Sequence, residues 1–157
     1  MTVIVNFSLV TGGTTITMPR FELDKFLALI QKYKATYLHV VPPVALALAK
    51  HPLVDKFDVS SVRMIFSGAS SLGGELQRNV ESRLKCKVKQ AYGMTELSPG
   101  THVTPTEDIV AGSIGLLIPN TMAKIVDLQT GESLPHNKEG ELCIKGPQVM
   151  KGIQDFT

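Results

Sequence analysis

The chain has 157 residues, enough for a domain with a real apolar core, and 43% of them are hydrophobic against 19% charged. A formal charge of +2 and a pI near 8.5 are too mild to argue for nucleic acid or an anionic membrane surface as partner. No apolar run approaches the ~20 residues of a transmembrane helix, no secretory leader is visible at the N-terminus, and no internal repeat is found.

Met1 to Val10 is apolar and rich in β-branched residues, which by propensity reads as a strand. Thr14 to Met18 alternates and also reads as a strand. In Phe21 to Tyr33 the apolar residues Leu23, Phe26, Leu27, Ile30 and Tyr33 recur at helical spacing, with Glu22, Asp24, Lys25, Gln31 and Lys32 on the wet face. Tyr37 to Val41 is a short, nearly all-apolar strand of the kind buried on both faces. Pro42-Pro43 stops it, and Pro43 opens a helix over Val44 to Lys50. Val62 to Phe66 is a strand and Ser67 to Ser71 a turn. Leu72, Leu76, Val80 and Leu84 then place one stripe on a helix, and Lys87 to Ala91 is the next strand.

Strands alternating with helices at these intervals imply a parallel sheet with helices on its faces. Ligands of such sheets bind beyond the carboxyl ends of the strands. Two loops fall there, Ser67–Ser71 and Tyr92–Glu96. After about Glu107 helical periodicity ends. Gly112 to Ile118, Met122 to Asp127, Glu141 to Lys145 and Val149-Met150 read as short strands, with turns at Gln129–Glu132 and Asn137–Gly140. The fold class is α/β: a partial parallel sheet flanked by helices, then part of a small antiparallel barrel. The division is an α/β unit over 1–107 and a β-unit over 108–157.

The chemistry concentrates in Lys89 to Pro99. Tyr92 offers a flat ring, and Gly93 a backbone that a ligand can approach. Thr95 offers a hydroxyl and an N–H, and Glu96 a hard carboxylate suited to Mg²⁺. A ring, a phosphate donor and a metal acid suggest a nucleotide–Mg²⁺ site, against the plainer reading of a strand-to-loop turn with a half-buried tyrosine. The cysteines, Cys86 and Cys143, have no CxxC pairing or histidine cluster beside them, which argues against a zinc site and for a reducing setting. His39, His51, His102 and His136 are scattered, with no serine or cysteine partner at a telling spacing, and read as structural or surface residues.

Gln90-Ala91-Tyr92-Gly93-Met94-Thr95-Glu96 closely resembles a core motif of the adenylate-forming (AMP-binding) enzymes, among them 4-coumarate–CoA ligases, acyl-CoA synthetases and firefly luciferase. Ser67 to Gly73 resembles their Ser-Gly-Ala-Ala-Pro-Leu-Gly loop. Gly140 to Pro147 and Met150-Lys151-Gly152 resemble their later Gly-Glu-Leu and Met-Lys-Gly-Tyr segments, so the similarity covers almost the whole chain. Two positions depart from the pattern: Ser71 stands where many relatives have proline, and Ala91 where many have glycine. The resemblance also implies a helix, not a strand, at the N-terminus, and a distorted β-barrel after Glu107.

It further implies site roles. Tyr92 would stack on adenine, Thr95 would contact the α-phosphate and Glu96 would hold Mg²⁺, with Thr95 and Glu96 counted as catalytic. Gly68, Ala69 and Ser70 would wall the other side of the adenine slot, with Gln90, Ala91, Gly93 and Met94 completing the nucleotide contacts. Gly68, Ala91, Gly93, Ser98 and Pro99 would border the acyl substrate. The implied reaction joins a small carboxylic acid to ATP as an acyl-adenylate and then to CoA, in an intracellular enzyme, cytoplasmic or peroxisomal.

Several parts of such an enzyme have no counterpart here. Thr11-Gly12-Gly13-Thr14-Thr15 looks superficially like the phosphate-gripping loop but lacks its lysine. The ribose-binding aspartate, the hinge and the C-terminal domain with its catalytic lysine are also unmatched. The expectation is a fragment of a 4-coumarate–CoA ligase-like enzyme, inactive alone, prone to association, its partner being the remainder of the same chain. The alternative is a non-catalytic nucleotide-binding or regulatory half-domain.

Overall fold

The structure, a computed structural model, describes residues 2–152. Helix α1 spans Thr2–Thr11, where residue propensity argues for a strand and the family resemblance for a helix. β-branching opposes a helix by only tenths of a kcal/mol per residue, and the C-terminal end is closed by bonds. Gly13 N–H donates to the Ser8 carbonyl at 2.8 Å and Thr11 Oγ1 to the Phe7 carbonyl at 2.8 Å. The Thr11–Thr15 stretch therefore ends a helix, whereas phosphate loops open one. Thr14 to Met18 is not a strand; it runs irregularly, without a strand partner.

Helix α2 (Leu23–Tyr33) has the expected stripe, with Leu27 and Ile30 buried, and Lys34 ends it in the left-handed conformation. Strand β1 (Tyr37–Val40) leads to α3 (Pro42–Lys50), which starts on Pro42-Pro43. A 3₁₀ turn, Pro52–Lys56, and β2 (Met64–Ser67) follow. Helix α4 (Gly74–Leu84) then leads to β3 (Lys87–Gly93). Leu72 lies just before α4, yet it is buried with Val80 and Leu84 in one cluster.

β1, β2 and β3 pair in parallel, with Leu38, Ile65 and Val88 in register and Val40, Ser67 and Gln90 in the next row. These rows face the helices. The core is their packing against Leu27, Ile30, Ala45, Leu48, Val80 and Leu84. The other face is less covered. Tyr37 is 57% exposed and His39 is exposed, with its ring 5.7 Å from Phe66. The expectation that Tyr37–Val41 is buried on both faces thus fails, because the packed helices all meet one face.

The sheet continues through a segment the sequence reading missed. β4 (Gly100–Val103) pairs antiparallel with β3, and β5 (Leu116–Leu117) pairs with β4. Of the strand expected over Gly112 to Ile118 only β5 forms, and it joins the first sheet. A separate two-stranded antiparallel sheet holds β6 (Met122–Val126) and β7 (Glu141–Lys145). The two expected turns are present; Asp127 closes the first by accepting from the Gln129 and Thr130 N–H groups. Val149-Met150 is not a strand, and no closed barrel forms among the described residues. No helix among the described residues is long and apolar enough to cross a membrane.

Candidate functional site

Both segments singled out in the sequence lie at the carboxyl ends of adjacent parallel strands, although Ser67 is still the last residue of β2 and Tyr92 and Gly93 the last two of β3, extended by pairing with β4. Ser67 ends β2 opposite Gln90 of β3. Beyond Ser67, Gly68 is half-buried while Ala69 and Ser70 are exposed, and Ala69 takes the left-handed conformation with φ +68°. For a residue with a Cβ that conformation is uncommon, and it turns the loop sharply towards α4.

Gln90 ties the loops together. Its buried amide accepts from Leu72 N–H and donates to the Leu72 carbonyl, both at 2.9 Å. Its Nε2 also lies 3.2 Å from Gln77 Oε1. Gln77, itself 1% exposed, donates to the Val88 carbonyl at 2.9 Å and accepts from Gly112 N–H at 3.2 Å. The Gln90 side chain is thereby fully used inside the protein and acts on the neighbouring loop. Sequence reasoning missed Gln77, since a single glutamine on a helix carries no local signal.

Tyr92 is half-buried on β3. In register with it is His102 of β4, whose ring meets Tyr92 edge-on at 5.8 Å. His102 Nδ1 lies 3.0 Å from Thr101 Oγ1, and burial lowers its pKa from 6.5, which favours the neutral ring. Ala91 is half-buried on the less covered face, with Lys89. Lys87 and Lys89 both reach Thr106, at 3.1 Å to its carbonyl and 2.9 Å to its hydroxyl, and brace the loop after β4.

Gly93 also meets a packing constraint within the chain. A Cβ there would lie 1.8 Å from the Pro99 carbonyl oxygen and 2.6 Å from Gly100 Cα. On its Cβ side the space glycine leaves is filled by the protein's own β3–β4 connection. The close approach falls at a register shift between Tyr92 and Gly93.

After Gly93, Met94 is 48% exposed, and Thr95–Leu97 forms a single 3₁₀ turn. Leu97 is buried and anchors the turn; Thr95, Glu96, Ser98 and Pro99 are exposed. Glu96 therefore presents its carboxylate to solvent from a turn whose backbone is held beneath it. No group of three or more potential metal-ligating side chains exists among the described residues. A lone exposed carboxylate suits Mg²⁺, which keeps most of its waters and binds through one or two carboxylates plus substrate phosphates. The thiols stand apart from this chemistry: both are free, and burial, with Glu81 nearby, pushes the Cys86 pKa up to about 11.

The AMP-binding enzyme family model matches residues 1–153. Over 143 residues the chain is 49% identical to a probable 4-coumarate–CoA ligase 1 of Dictyostelium discoideum, covering 90% of this chain and 26% of that protein. Over 147 residues it is 46% identical to the 4-coumarate–CoA ligase of Pinus taeda, covering 90% and 27%. The ATP-bound crystal structure of MatB from Rhodopseudomonas palustris superposes with a TM-score of 0.85 at 32% identity, over 96% of this chain and 29% of that one. The chain thus spans about a quarter of the length of the curated relatives it matches. Family match, identity and fold agree: the chain belongs to the AMP-binding enzyme family.

Proposed function

We propose that this chain is part of the large domain of an acid–thiol ligase of the 4-coumarate–CoA ligase kind. It supplies both walls of the adenine slot, the residue that meets the α-phosphate and the metal carboxylate. The observation that carries the reading is the paired arrangement of the Ser67–Gly73 and Tyr92–Glu96 loops beyond adjacent parallel strands, locked by Gln90 on Leu72. In this reading Gly68, Ala69 and Ser70, which follow Ser67 beyond its pairing with Gln90, form the wall opposite the Tyr92 ring. A planar base fits between flat and small surfaces of this kind. The 1–107 and 108–157 division is retained as the boundary between an α/β subdomain and the start of a β-subdomain, although β5 joins the first sheet.

In the reaction proposed, a carboxylate oxygen of the acid attacks the α-phosphorus of ATP. Pyrophosphate leaves, and an acyl-adenylate forms. The thiol of CoA then displaces AMP and yields the thioester. Negative charge builds on the α-phosphate oxygens in the first step, so positioned donors and cations lower the barrier. Thr95, with its exposed hydroxyl at the head of the turn, donates to that phosphate. Glu96 would hold Mg²⁺, which would supply positive charge against the phosphates. Gly68, Ala91, Gly93, Ser98 and Pro99 border the acyl group, and the Ala91 methyl narrows its pocket relative to a glycine. Ser70, Met94 and the backbone of Gln90 complete the nucleotide contacts. The lysine and other cations that the chemistry needs come from the rest of the enzyme chain.

The test is to express the full-length protein that contains this segment and incubate it with ATP, Mg²⁺, CoA and a panel of small carboxylic acids. Acid-dependent formation of an acyl thioester and AMP supports the reading. No adenylate and no thioester with any acid, alongside retained AMP binding, would favour a non-catalytic nucleotide-binding module. The 157-residue chain alone is expected to make no acyl-adenylate.

A further inference from the structure

The segment after β7 is joined to the candidate site by a backbone bond. Met150 N–H donates to the Glu96 carbonyl oxygen at 2.9 Å. The turn that presents this N–H is built by two features. Val149 N–H bonds the Gly146 carbonyl at 3.2 Å, which closes the turn after β7. Gln148 Nε2 donates to Thr121 Oγ1 at 2.7 Å, which ties the turn to the start of β6. The Gln148 side chain folds back over Gly146, where a Cβ would sit 2.4 Å from Gln148 Oε1. A side chain at 146 would push the Gln148 amide off this path.

We propose that Gln148 is a positioning residue for Glu96: by fastening the Gly146–Met150 turn to Thr121, it aims the Met150 N–H at the Glu96 carbonyl and fixes the turn that carries the carboxylate. The inference rests on the reading of Glu96 as the metal carboxylate. The mechanical logic is direct. Thr95–Leu97 is a single 3₁₀ turn with Leu97 as its only buried residue. Internally it is held by the Leu97 N–H bond to the Met94 carbonyl and the Ser98 N–H bond to the Thr95 carbonyl. The Met150 bond adds an attachment at Glu96 itself. Without it the Glu96 backbone is held only through its neighbours, and the carboxylate samples a wider range of positions.

The test compares Gln148→Ala and Gln148→Glu with the parent residue in the full-length protein. Glutamate can accept a hydrogen bond from the Thr121 hydroxyl and so keeps the contact. Two readouts are taken. In hydrogen–deuterium exchange, Gln148→Ala is expected to speed exchange in peptides covering residues 94–98, with strands β1 to β3 unchanged and Gln148→Glu close to the parent. In adenylation, Gln148→Ala is expected to raise the Mg²⁺ concentration for half-maximal rate roughly three- to tenfold, the worth of one hydrogen bond. Metal-free AMP binding should change less than twofold. Unchanged exchange at 94–98, or an unchanged Mg²⁺ requirement in an active enzyme, overturns the proposal, as does an equal loss of metal-free AMP binding. If the parent protein adenylates no acid, the ligase reading fails, and the exchange result still decides whether Gln148 fixes Glu96.

Discussion

Gln90 holds Leu72 by both of its backbone polar groups, accepting from the N–H and donating to the carbonyl, each at 2.9 Å. A glutamine side chain thus takes the place of a neighbouring strand for one residue of the Ser67–Gly73 loop. Gln90→Ala would leave the Leu72 N–H and carbonyl without these partners inside the protein. The expected loss is about 3 kcal/mol of stability, read as a lower urea midpoint with unchanged slope. Nucleotide binding should weaken as well, since the loop loses its fixed position against Tyr92.

Gly93 and Gly68 separate folding from binding. Gly93→Ala forces a Cβ onto the Pro99 carbonyl at 1.8 Å, so β3 and β4 must part, at an expected cost of about 2 kcal/mol or more. Gly68 has no atom within 4 Å of where a Cβ would stand. Gly68→Ala should therefore melt within about 0.5 kcal/mol of the parent. It should nonetheless weaken AMP in a titration, if Gly68 borders the base as proposed, because an added methyl narrows the slot.

Stability should fall with mild acid, and His102 should account for part of the fall. Burial lowers its folded pKa below the ordinary 6.5, so the unfolded chain binds the proton more readily. Its contribution is complete above about pH 6.5 and is lost as pH falls through the lowered folded value. His39 acts in the same direction. Urea midpoints measured between pH 7.5 and 5 should decrease, and His102→Gln should flatten that slope. An unchanged slope in the variant would place the titration elsewhere.

Self-association is expected of the chain taken by itself. Along α1, Phe7 is 56%, Leu9 74% and Val10 87% exposed, and Tyr37 stands on the less covered sheet face. Apolar surface of this extent on one helix favours burial against another molecule. Sedimentation velocity should show mass rising with concentration, and Phe7→Glu with Val10→Glu should reduce it. A monomer at every concentration would contradict this.

The parallel half of the fold was legible because burial there follows simple periods. Leu27 and Ile30 on α2 and Val80 and Leu84 on α4 are where the helical spacing puts them. The Tyr92–Glu96 loop could be located for the same reason, since the end of a strand fixes it. What could not be read depends on long-range pairing. The residues of β4, Gly100 to Val103, follow a loop and pair back on β3 only because Gly93 admits Pro99 and Gly100. Thr14 to Met18 alternates like a strand but lacks a neighbour to pair with. The side-chain bonds of Gln90, Gln77 and Gln148 reach 18, 11 and 27 residues away, and no local pattern encodes such a partner.

The most direct measurement is acid-dependent exchange of labelled pyrophosphate into ATP by the full-length protein, without CoA, for the parent and for Glu96→Gln. Reversible formation of an acyl-adenylate predicts exchange only when a substrate acid is present. It also predicts a loss of roughly 100-fold in Glu96→Gln, the scale of removing one charge-stabilising group. Exchange that ignores the acid, or that survives Glu96→Gln undiminished, would contradict the assignment of this site.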